Sequence, residues 1–136
     1  MAALSITAAN VAYVQGSTQI VTYGETVTQG QPIREHTDGK FYLCNNTTST
    51  DAGATKIALT PGSADEKGVA MGGGVNSDIK IGATVAAGTS YYVGGSDGDI
   101  VPHGDLSSGD HIVVIGHGIS TTTIRLTFNN LGATIA

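Results

Sequence analysis

Short runs of β-type residues, separated by turns that contain glycine, limit what this chain can fold into more than any other feature. Residues 122–128 alternate apolar and polar side chains, a pattern that predicts a strand with one buried and one solvated face. Residues 112–115 form a continuous apolar run, which favours a strand covered on both faces or lying at the centre of a sheet. Sustained helical periodicity is hard to find, so the sequence predicts an all-β protein.

Turn signals recur along the chain at spacings typical of a small β-barrel or β-sandwich. Asp38 and Gly39 form a hairpin signal, and Pro61 followed by Gly62 ends the run before it. Residues 55–59 are ambiguous, because their Ala and Leu content would also tolerate one helical turn. The other candidate strands are residues 18–23, 31–35, 40–44, 68–71, 77–81, 90–93 and 99–101. Barrel and sandwich both stay open, because strand order cannot be read from such short runs.

The length of 136 residues indicates a single domain. Residues 1–12 lack turn signals and an evident pairing partner, and are therefore predicted to form an extended N-terminal arm, with the β domain at 13–136. If the arm is unanchored, deleting residues 2–10 should spare the fold and weaken attachment to a partner. Cys44 is the only cysteine, which excludes an intrachain disulfide and predicts a small buried apolar residue.

The charge balance disfavours nucleic acid as a partner. The net charge is −5, and the six Lys and Arg residues are not clustered, whereas binding a duplex requires basic side chains that neutralise phosphates. No segment approaches the roughly 18 apolar residues of a membrane-spanning helix, so no membrane partner is expected. The first residues lack the basic region and apolar core of a signal peptide, which predicts synthesis in a cytoplasm.

Residues that could carry catalysis are present, but their context does not support an active site. His103, His111 and His117 lie close together in sequence, yet their spacing matches no metal-ligand motif, and solvent-facing histidines are the favoured interpretation. Residues 94–98 match the letters Gly-x-Ser-x-Gly, but the helix that a nucleophile elbow requires does not follow them. We therefore expect a protein that is not an enzyme and that uses no metal and no cofactor.

Several apolar residues are candidates for contact with another protein. Tyr13 and Tyr23 flank an early turn, and tyrosines are frequent anchors of protein interfaces. Tyr91 and Tyr92 are adjacent in a candidate strand, so one can face the core while the other is exposed. The predicted arm adds two large apolar side chains. The complete set of candidate contact residues is Leu4, Ile6, Tyr13, Tyr23, Tyr91 and Tyr92.

The order of the turn-and-strand segments resembles a known family. The segments are TQGQPI (28–33), DGKFYL (38–43), IALT (57–60), GVA (68–70), IGATVAAGTSYYV (81–93) and DLSSGD (105–110). In this order they resemble the capsid cement, or head decoration, proteins of tailed bacteriophages. The likeness covers roughly residues 25–130, and the first 24 residues lie outside it.

The resemblance implies a structural protein of the virion. Such a protein binds the outer surface of the mature head, bridges subunits of the major capsid protein and stabilises the shell against the pressure of packaged DNA. It also implies homotrimers at threefold or quasi-threefold positions, and an arm that can add a strand to a sheet edge of the shell. The protein would be made in the host cytoplasm.

Other roles stay open at this point. One is a phage tail or fibre-base subunit, which has the same composition and differs in its partner. A second is a β-sandwich carbohydrate-binding module, whose affinity would fall on Tyr91→Ala or Tyr92→Ala. A third is a small metal hydrolase that uses His103, His111 and His117 and would carry stoichiometric metal when purified.

Overall fold

The computed structural model describes residues 3–136 and shows an all-β chain of eleven strands with two short 3₁₀ helices. The helices are Ala8–Asn10 and His103–Asp105. The strands are β1 (Val11–Gln15), β2 (Thr18–Thr22), β3 (Pro32–Glu35), β4 (Phe41–Leu43), β5 (Lys56–Ala58), β6 (Lys67–Gly72), β7 (Asp78–Ile81), β8 (Ser90–Val93), β9 (Ile100–Pro102), β10 (His111–Gly118) and β11 (Thr123–Thr134).

Most strands lie where alternation and glycine turns predict them. The ambiguous segment 55–59 contains β5, which is a strand because it pairs on both sides, with β3 and with β6. β10 lies inside its sheet between β8 and β11, as predicted. Only one of its faces is fully covered, since Val113 and Ile115 are buried while Ile112 and Val114 are half-buried. The sequence patterns do not predict β1, because its side chains are largely exposed on both faces and show no alternation.

The strands form two antiparallel sheets that share a core. The first sheet has the order β1-β7-β11-β10-β8-β9, and the second has the order β2-β6-β5-β3-β4. Ile115 and Leu126 of the first sheet are buried in the same apolar cluster as Ile57 and Met71 of the second. Two sheets that pack over one core are the arrangement of a sandwich.

The second sheet encloses a smaller core on its other face. Neighbouring residues of a strand point to opposite faces, so Ala58 and Ala70 face away from the shared core. A bridge between Tyr23 and Phe41 brings the ends of β2 and β4 together, although these are the outer strands of the sheet. The sheet is therefore rolled around its own cluster, which consists of Val21, Tyr23, Val27, Ile33, Phe41, Ala58 and Ala70.

Tyr23 fills this smaller core because two glycines leave room for its ring. A Cβ added at Gly68 would overlap the ring, and one added at Gly62 would lie 2.7 Å from its Cδ2. The Tyr23 hydroxyl donates a hydrogen bond to the Thr60 carbonyl oxygen at 2.6 Å. Burial raises the pKa of this phenol above its ordinary value, so Tyr23 stays a neutral donor.

Residues 3–10 are tied to the domain by backbone hydrogen bonds. The Leu4 N–H donates to the Ile100 carbonyl oxygen at 2.8 Å, and the Thr7 N–H donates to the Gly82 carbonyl oxygen, also at 2.8 Å. Ile100 belongs to β9 at one edge of the first sheet, and Gly82 follows β7 beside the other edge. The segment therefore crosses one end of the sandwich.

The same segment also covers the shared core. Leu4, Ile6 and Val11 pack against it, while Ser5 and Thr7 are exposed. The expectation of an unanchored arm is therefore corrected: alternating apolar side chains hold the segment on the domain. The strand that follows it starts at residue 11, inside the range 1–12 proposed for the arm.

β10 and β11 form a hairpin with an irregular register. Val114 pairs with Asn129 and Gly116 pairs with Leu126, so one residue of β10 lies opposite two residues of β11. Phe128 is one of these two and has a φ of 45°, in the left-handed region that aromatic residues rarely adopt. The Phe128 side chain nevertheless packs against the shared core.

Candidate interaction surface

The predicted contact residues do not form one surface. Tyr23 is fully buried and Tyr91 is only 4% exposed, so neither offers a surface to a partner while the domain stays folded. Leu4 and Ile6 are half-buried against the shared core. Tyr13 is 49% exposed and remains available on β1.

The two tyrosines of β8 follow the alternation of a strand. Tyr91 points into the shared core, where its hydroxyl oxygen accepts a hydrogen bond from the Ala86 N–H at 3.0 Å. Tyr92 is half-buried, and its ring meets the His103 ring edge-on with the centroids 5.8 Å apart. Stacking on a sugar requires an exposed aromatic face, which Tyr91 does not supply.

The three histidines considered as metal ligands are not gathered at one place. His103 lies in a 3₁₀ helix, whereas His111 and His117 lie in β10. Six positions of strand separate the latter two, a distance of about 20 Å at the rise of a β-strand. Within residues 3–136, no group of three or more His, Cys, Asp or Glu side chains is arranged to hold a metal ion. The histidines therefore do not form the metal site of a hydrolase.

Neither Ser96 nor Cys44 is positioned as a nucleophile. Ser96 lies in the turn between β8 and β9, a strand–turn–strand hairpin and not the strand–turn–helix of a nucleophile elbow. Cys44 is fully buried in the shared core, and burial raises its pKa to about 12. The thiol is protonated at neutral pH, and Cys44 is the small buried residue that the sequence predicts.

An ion pair between a buried aspartate and a partly exposed arginine lies beside β1 in the first sheet. Asp78 is 2% exposed and accepts hydrogen bonds from Arg125 Nε at 2.8 Å and from Arg125 Nη2 at 3.0 Å. The Gln15 side-chain amide donates a further hydrogen bond to Asp78 at 2.6 Å. The hydrogen bonds from Arg125 hold the pKa of Asp78 below its ordinary value, against the opposing effect of burial. The network joins β1, β7 and β11 and is a structural feature.

A small polar cavity of about 170 Å³ lies at the β3–β4 hairpin, lined by Arg34, His36 and Tyr42. Arg34 pairs with Asp51 at 3.1 Å, and its guanidinium carbon lies 5.7 Å from the centroid of the Tyr42 ring. The Tyr42 hydroxyl donates a hydrogen bond to Asp38 at 2.6 Å. Because Asp51 already balances the charge of Arg34, this cavity has little net charge with which to attract an anion.

The surface with the clearest interaction character is the side of the molecule where each sheet ends in an exposed outer strand. β1 is the outer strand of the first sheet and β2 is an outer strand of the second. Within the part of the chain that the structure describes, β1 pairs only with β7, and β2 pairs only with β6. Gly16 and Ser17 connect the two strands, and Gly16 lies against Ser77 in the loop before β7. Both outer strands therefore lie on one side of the molecule.

Large apolar side chains are exposed on and beside these strands. Tyr13 and Val14 of β1 are 49% and 44% exposed, and Ile20 of β2 is 68% exposed. Val75, in the loop between β6 and β7, is 92% exposed. We call β1, β2 and Val75 the uncharged edge face, because the chain has no charged side chain before Glu25.

Sequence reasoning selected one member of this face and missed three. Tyr13 was a candidate, but Val14, Ile20 and Val75 were not, because exposure of an isolated apolar residue leaves no pattern in the sequence. The available signal was the absence of charge from the first 24 residues.

No protein-family model, no curated protein and no solved structure matches this chain. Among residues 3–136, no helix is long and apolar enough to cross a membrane.

Proposed function

We propose that this protein is a non-enzymatic capsid cement protein that binds the outer surface of a mature bacteriophage head. Its partner is the major capsid protein, whose subunits it bridges as a homotrimer at threefold or quasi-threefold positions. Its role is mechanical, since it stabilises the shell against the pressure of packaged DNA.

The observation that carries the proposal is where the segments of the family resemblance lie in the fold. Residues 28–33 lead into β3, and residues 38–43 contain the turn before β4 and the strand itself. Residues 57–60 and 68–70 fall on β5 and β6, and residues 81–93 extend from the end of β7 through β8. Residues 105–110 end immediately before β10. The resemblance therefore rests on residues that build both sheets.

The physical properties of the domain suit a mechanical role. Two sheets share one core, and the hydrogen bonds of Gln15 and Arg125 to Asp78 join three strands of the first sheet. The domain is therefore held together both between its sheets and across the first sheet. Many identical copies on one shell bind with high avidity even when each contact is weak.

The first test is cosedimentation of the purified full-length chain with bacteriophage heads. The heads are assembled from the major capsid protein of the phage that encodes the chain. Mature heads and unexpanded heads are compared, because a cement protein recognises contacts that form only in the mature lattice. We expect saturable binding to mature heads and little binding to unexpanded heads. An absence of binding to both mature and unexpanded heads would overturn the proposal. The tail-subunit and carbohydrate-binding roles would then be the remaining alternatives.

The mechanical role needs its own measurement. Mature heads with and without the protein are heated, and the release of DNA is followed with an intercalating dye. We expect decorated heads to release DNA at a higher temperature than bare heads. Saturable binding with an unchanged release temperature would contradict the cement role and leave only a surface-binding protein.

A further inference from the structure

A cleft of about 470 Å³ lies between the N-terminal segment and the end of β7, and no part of the proposed function uses it. That volume falls within the roughly 300–1,000 Å³ typical of small-molecule sites. We call it the hydroxyl cleft, because four Ser or Thr side chains are among the residues that line it. The lining residues are Ser5, Thr7, Asn10, Lys80, Gly82, Ala83, Thr84 and Thr122.

The alternation of buried and exposed side chains brings polar groups to this cleft. The pattern that places Leu4 and Ile6 on the shared core leaves Ser5 and Thr7 exposed at the cleft. Lys80 is exposed on β7 between two buried isoleucines for the same reason. The cleft is therefore lined by the outward-facing positions of segments whose inward-facing positions build the core.

Backbone hydrogen bonds hold the walls of the cleft in place. The Thr7 N–H donates to the Gly82 carbonyl oxygen at 2.8 Å, and a Cβ added at Gly82 would lie 2.5 Å from the Thr7 carbonyl oxygen. On either side of the loop, the N–H groups of Ile81 and Val85 donate to carbonyl oxygens of residues 121–122 at 3.1 and 2.9 Å. A ligand would meet walls that are already ordered, which reduces the entropy lost on binding.

The polar side chains of the cleft are not used by the fold. Within residues 3–136, the side chains of Ser5, Thr7, Asn10, Lys80 and Thr84 make no hydrogen bond and no ion pair with the protein. Their hydroxyl, amide and ammonium groups therefore remain free to bind a ligand.

The charge of the cleft is positive on an otherwise acidic molecule. Among the described residues that line it, Lys80 is the single charged one. Its cross-strand neighbours, Ala12 and Thr123, are uncharged. Asp78, two residues away on the same strand, is paired with Arg125 at 2.8 Å. The cleft thus favours an anion, although the chain as a whole has a net charge of −5.

We propose that the hydroxyl cleft binds a polyhydroxylated carboxylic acid, such as a sugar acid. The Lys80 ammonium group pairs with the carboxylate, and the hydroxyl side chains exchange hydrogen bonds with the hydroxyls of the ligand. A monoanion matches the single positive charge, whereas a phosphate dianion would add unbalanced negative charge to an acidic protein. This inference does not rest on the capsid role.

The lining also argues against an apolar ligand. Ala83 supplies the one apolar side chain among the described lining residues, and none of these residues is aromatic. Recognition must therefore come from hydrogen bonds and charge, because there is no ring for a ligand to stack on.

The test is a titration of the full-length protein with glucuronate, followed through the backbone amide signals of its nuclear magnetic resonance spectrum. Glucose is the matched probe, because it offers similar hydroxyls without the carboxylate. We expect glucuronate to shift the signals of residues 5–10, 82–84 and 122 saturably. Glucose should bind about tenfold more weakly or less, since it lacks the charge-assisted hydrogen bond to Lys80.

Two substitutions separate the charge from the hydroxyls. Lys80→Gln should raise the dissociation constant for glucuronate by about tenfold or more and change the binding of glucose much less. Thr84→Val, which removes a hydroxyl and keeps the shape, should weaken both probes by about threefold or more. Lys67→Gln is the matched control, since Lys67 is an exposed lysine of β6 that does not line the cleft. Thermal unfolding verifies that each variant folds.

The contradicting outcomes are specific. The inference is overturned if millimolar glucuronate shifts no signal of the cleft, or if glucose binds as tightly as glucuronate. Equal affinities of Lys80→Gln and Lys67→Gln for glucuronate would also overturn it, because the carboxylate would then not lie against Lys80. Inorganic phosphate is the last probe, and tighter binding of phosphate than of glucuronate would show that the assignment to a carboxylate is wrong. Binding to heads is measured separately, so a failure here is distinguishable from a failure of the capsid proposal.

Discussion

At the scale of single residues, a glycine can be required by the side chain that lies opposite it. Gly68 and Tyr23 are such a pair, because the ring occupies the space that a Cβ at Gly68 would need. Gly72 lies on the same strand, but the nearest atom to an added Cβ there is Lys56 Nζ at 3.7 Å, an ordinary contact. The two glycines of β6 therefore differ in what they tolerate.

We expect Gly68→Ala to lower the free energy of unfolding by about 1–3 kcal/mol, because the added methyl group overpacks the smaller core. Gly72→Ala is the matched control on the same strand and should change stability by less than about 1 kcal/mol. Urea unfolding followed by circular dichroism measures both. Equal effects of the two substitutions would show that Tyr23 does not set the requirement for glycine at residue 68.

The Asp78–Arg125 pair makes the stability of the fold depend on pH. The pKa of Asp78 is lower in the folded state than its ordinary value near 4, so the pair stabilises the fold above that value. The contribution is lost as the pH falls through the folded-state pKa of Asp78. We expect Asp78→Asn to lower the melting temperature at pH 7, with a difference from wild type that shrinks in acid.

Asp65→Asn is the control for this measurement. The Asp65 side chain is 73% exposed and pairs with Lys40 on the surface, so its substitution should change stability little at any pH. A difference between wild type and Asp78→Asn that stays constant from pH 7 into acid would contradict the assignment to the Asp78 carboxylate.

At the scale of elements, the N-terminal segment is part of the domain because of where it crosses the sandwich. Its alternating side chains place Leu4 and Ile6 on the shared core, and its backbone bonds to Ile100 and Gly82 fix its path. The segment has no strand of its own to pair with. It therefore gains its apolar contacts and its backbone hydrogen bonds only when the sheets have formed.

We therefore expect deletion of residues 2–10 to destabilise the domain, contrary to the expectation from sequence alone. Ile6→Ala should lower the free energy of unfolding by about 1–2 kcal/mol, which is less than for a fully buried isoleucine because Ile6 is half-buried. Ser5→Ala, at an exposed neighbouring position, is the control. Urea unfolding measures the stability of the deletion variant and of both substitutions. A deletion variant with wild-type stability would show that the segment is an unanchored arm after all.

At the scale of the whole molecule, the two sheets depend on each other. Ile57 and Met71 of the second sheet are buried in the core that the first sheet builds. The second sheet has its own cluster around Tyr23, but its opposite face would be exposed if the first sheet unfolded. The chain should therefore unfold as one cooperative unit.

We expect circular dichroism and the near-ultraviolet signal of the tyrosines to report a single thermal transition. Met71→Ala should shift both signals together and cost about 2–5 kcal/mol, because it leaves a cavity where the sheets meet. Leu131→Ala, at a position of β11 that is 52% exposed and outside the uncharged edge face, is the control and should leave stability within about 0.5 kcal/mol. Two separate transitions would show that the rolled second sheet folds alone.

The sequence by itself determined the all-β class, the positions of most strands and the burial of Cys44. These follow from local rules: alternation sets which residues face a core, and glycine or proline sets where a strand must end. The turn between β8 and β9 is predicted for the same reason, because residues 94–98 contain three glycines between two candidate strands.

The tertiary structure alone decided which strands share a sheet, where residues 3–10 lie and which tyrosines are buried. Tyr13 and Tyr23 flank the same early turn, yet one is half-exposed on an outer strand and the other fills a core. Alternation does not separate them, because the burial of Tyr23 depends on contacts with Gly62 and Gly68, far along the chain. The uncharged edge face has the same origin, since a strand becomes an edge only through the pairing order of the whole sheet.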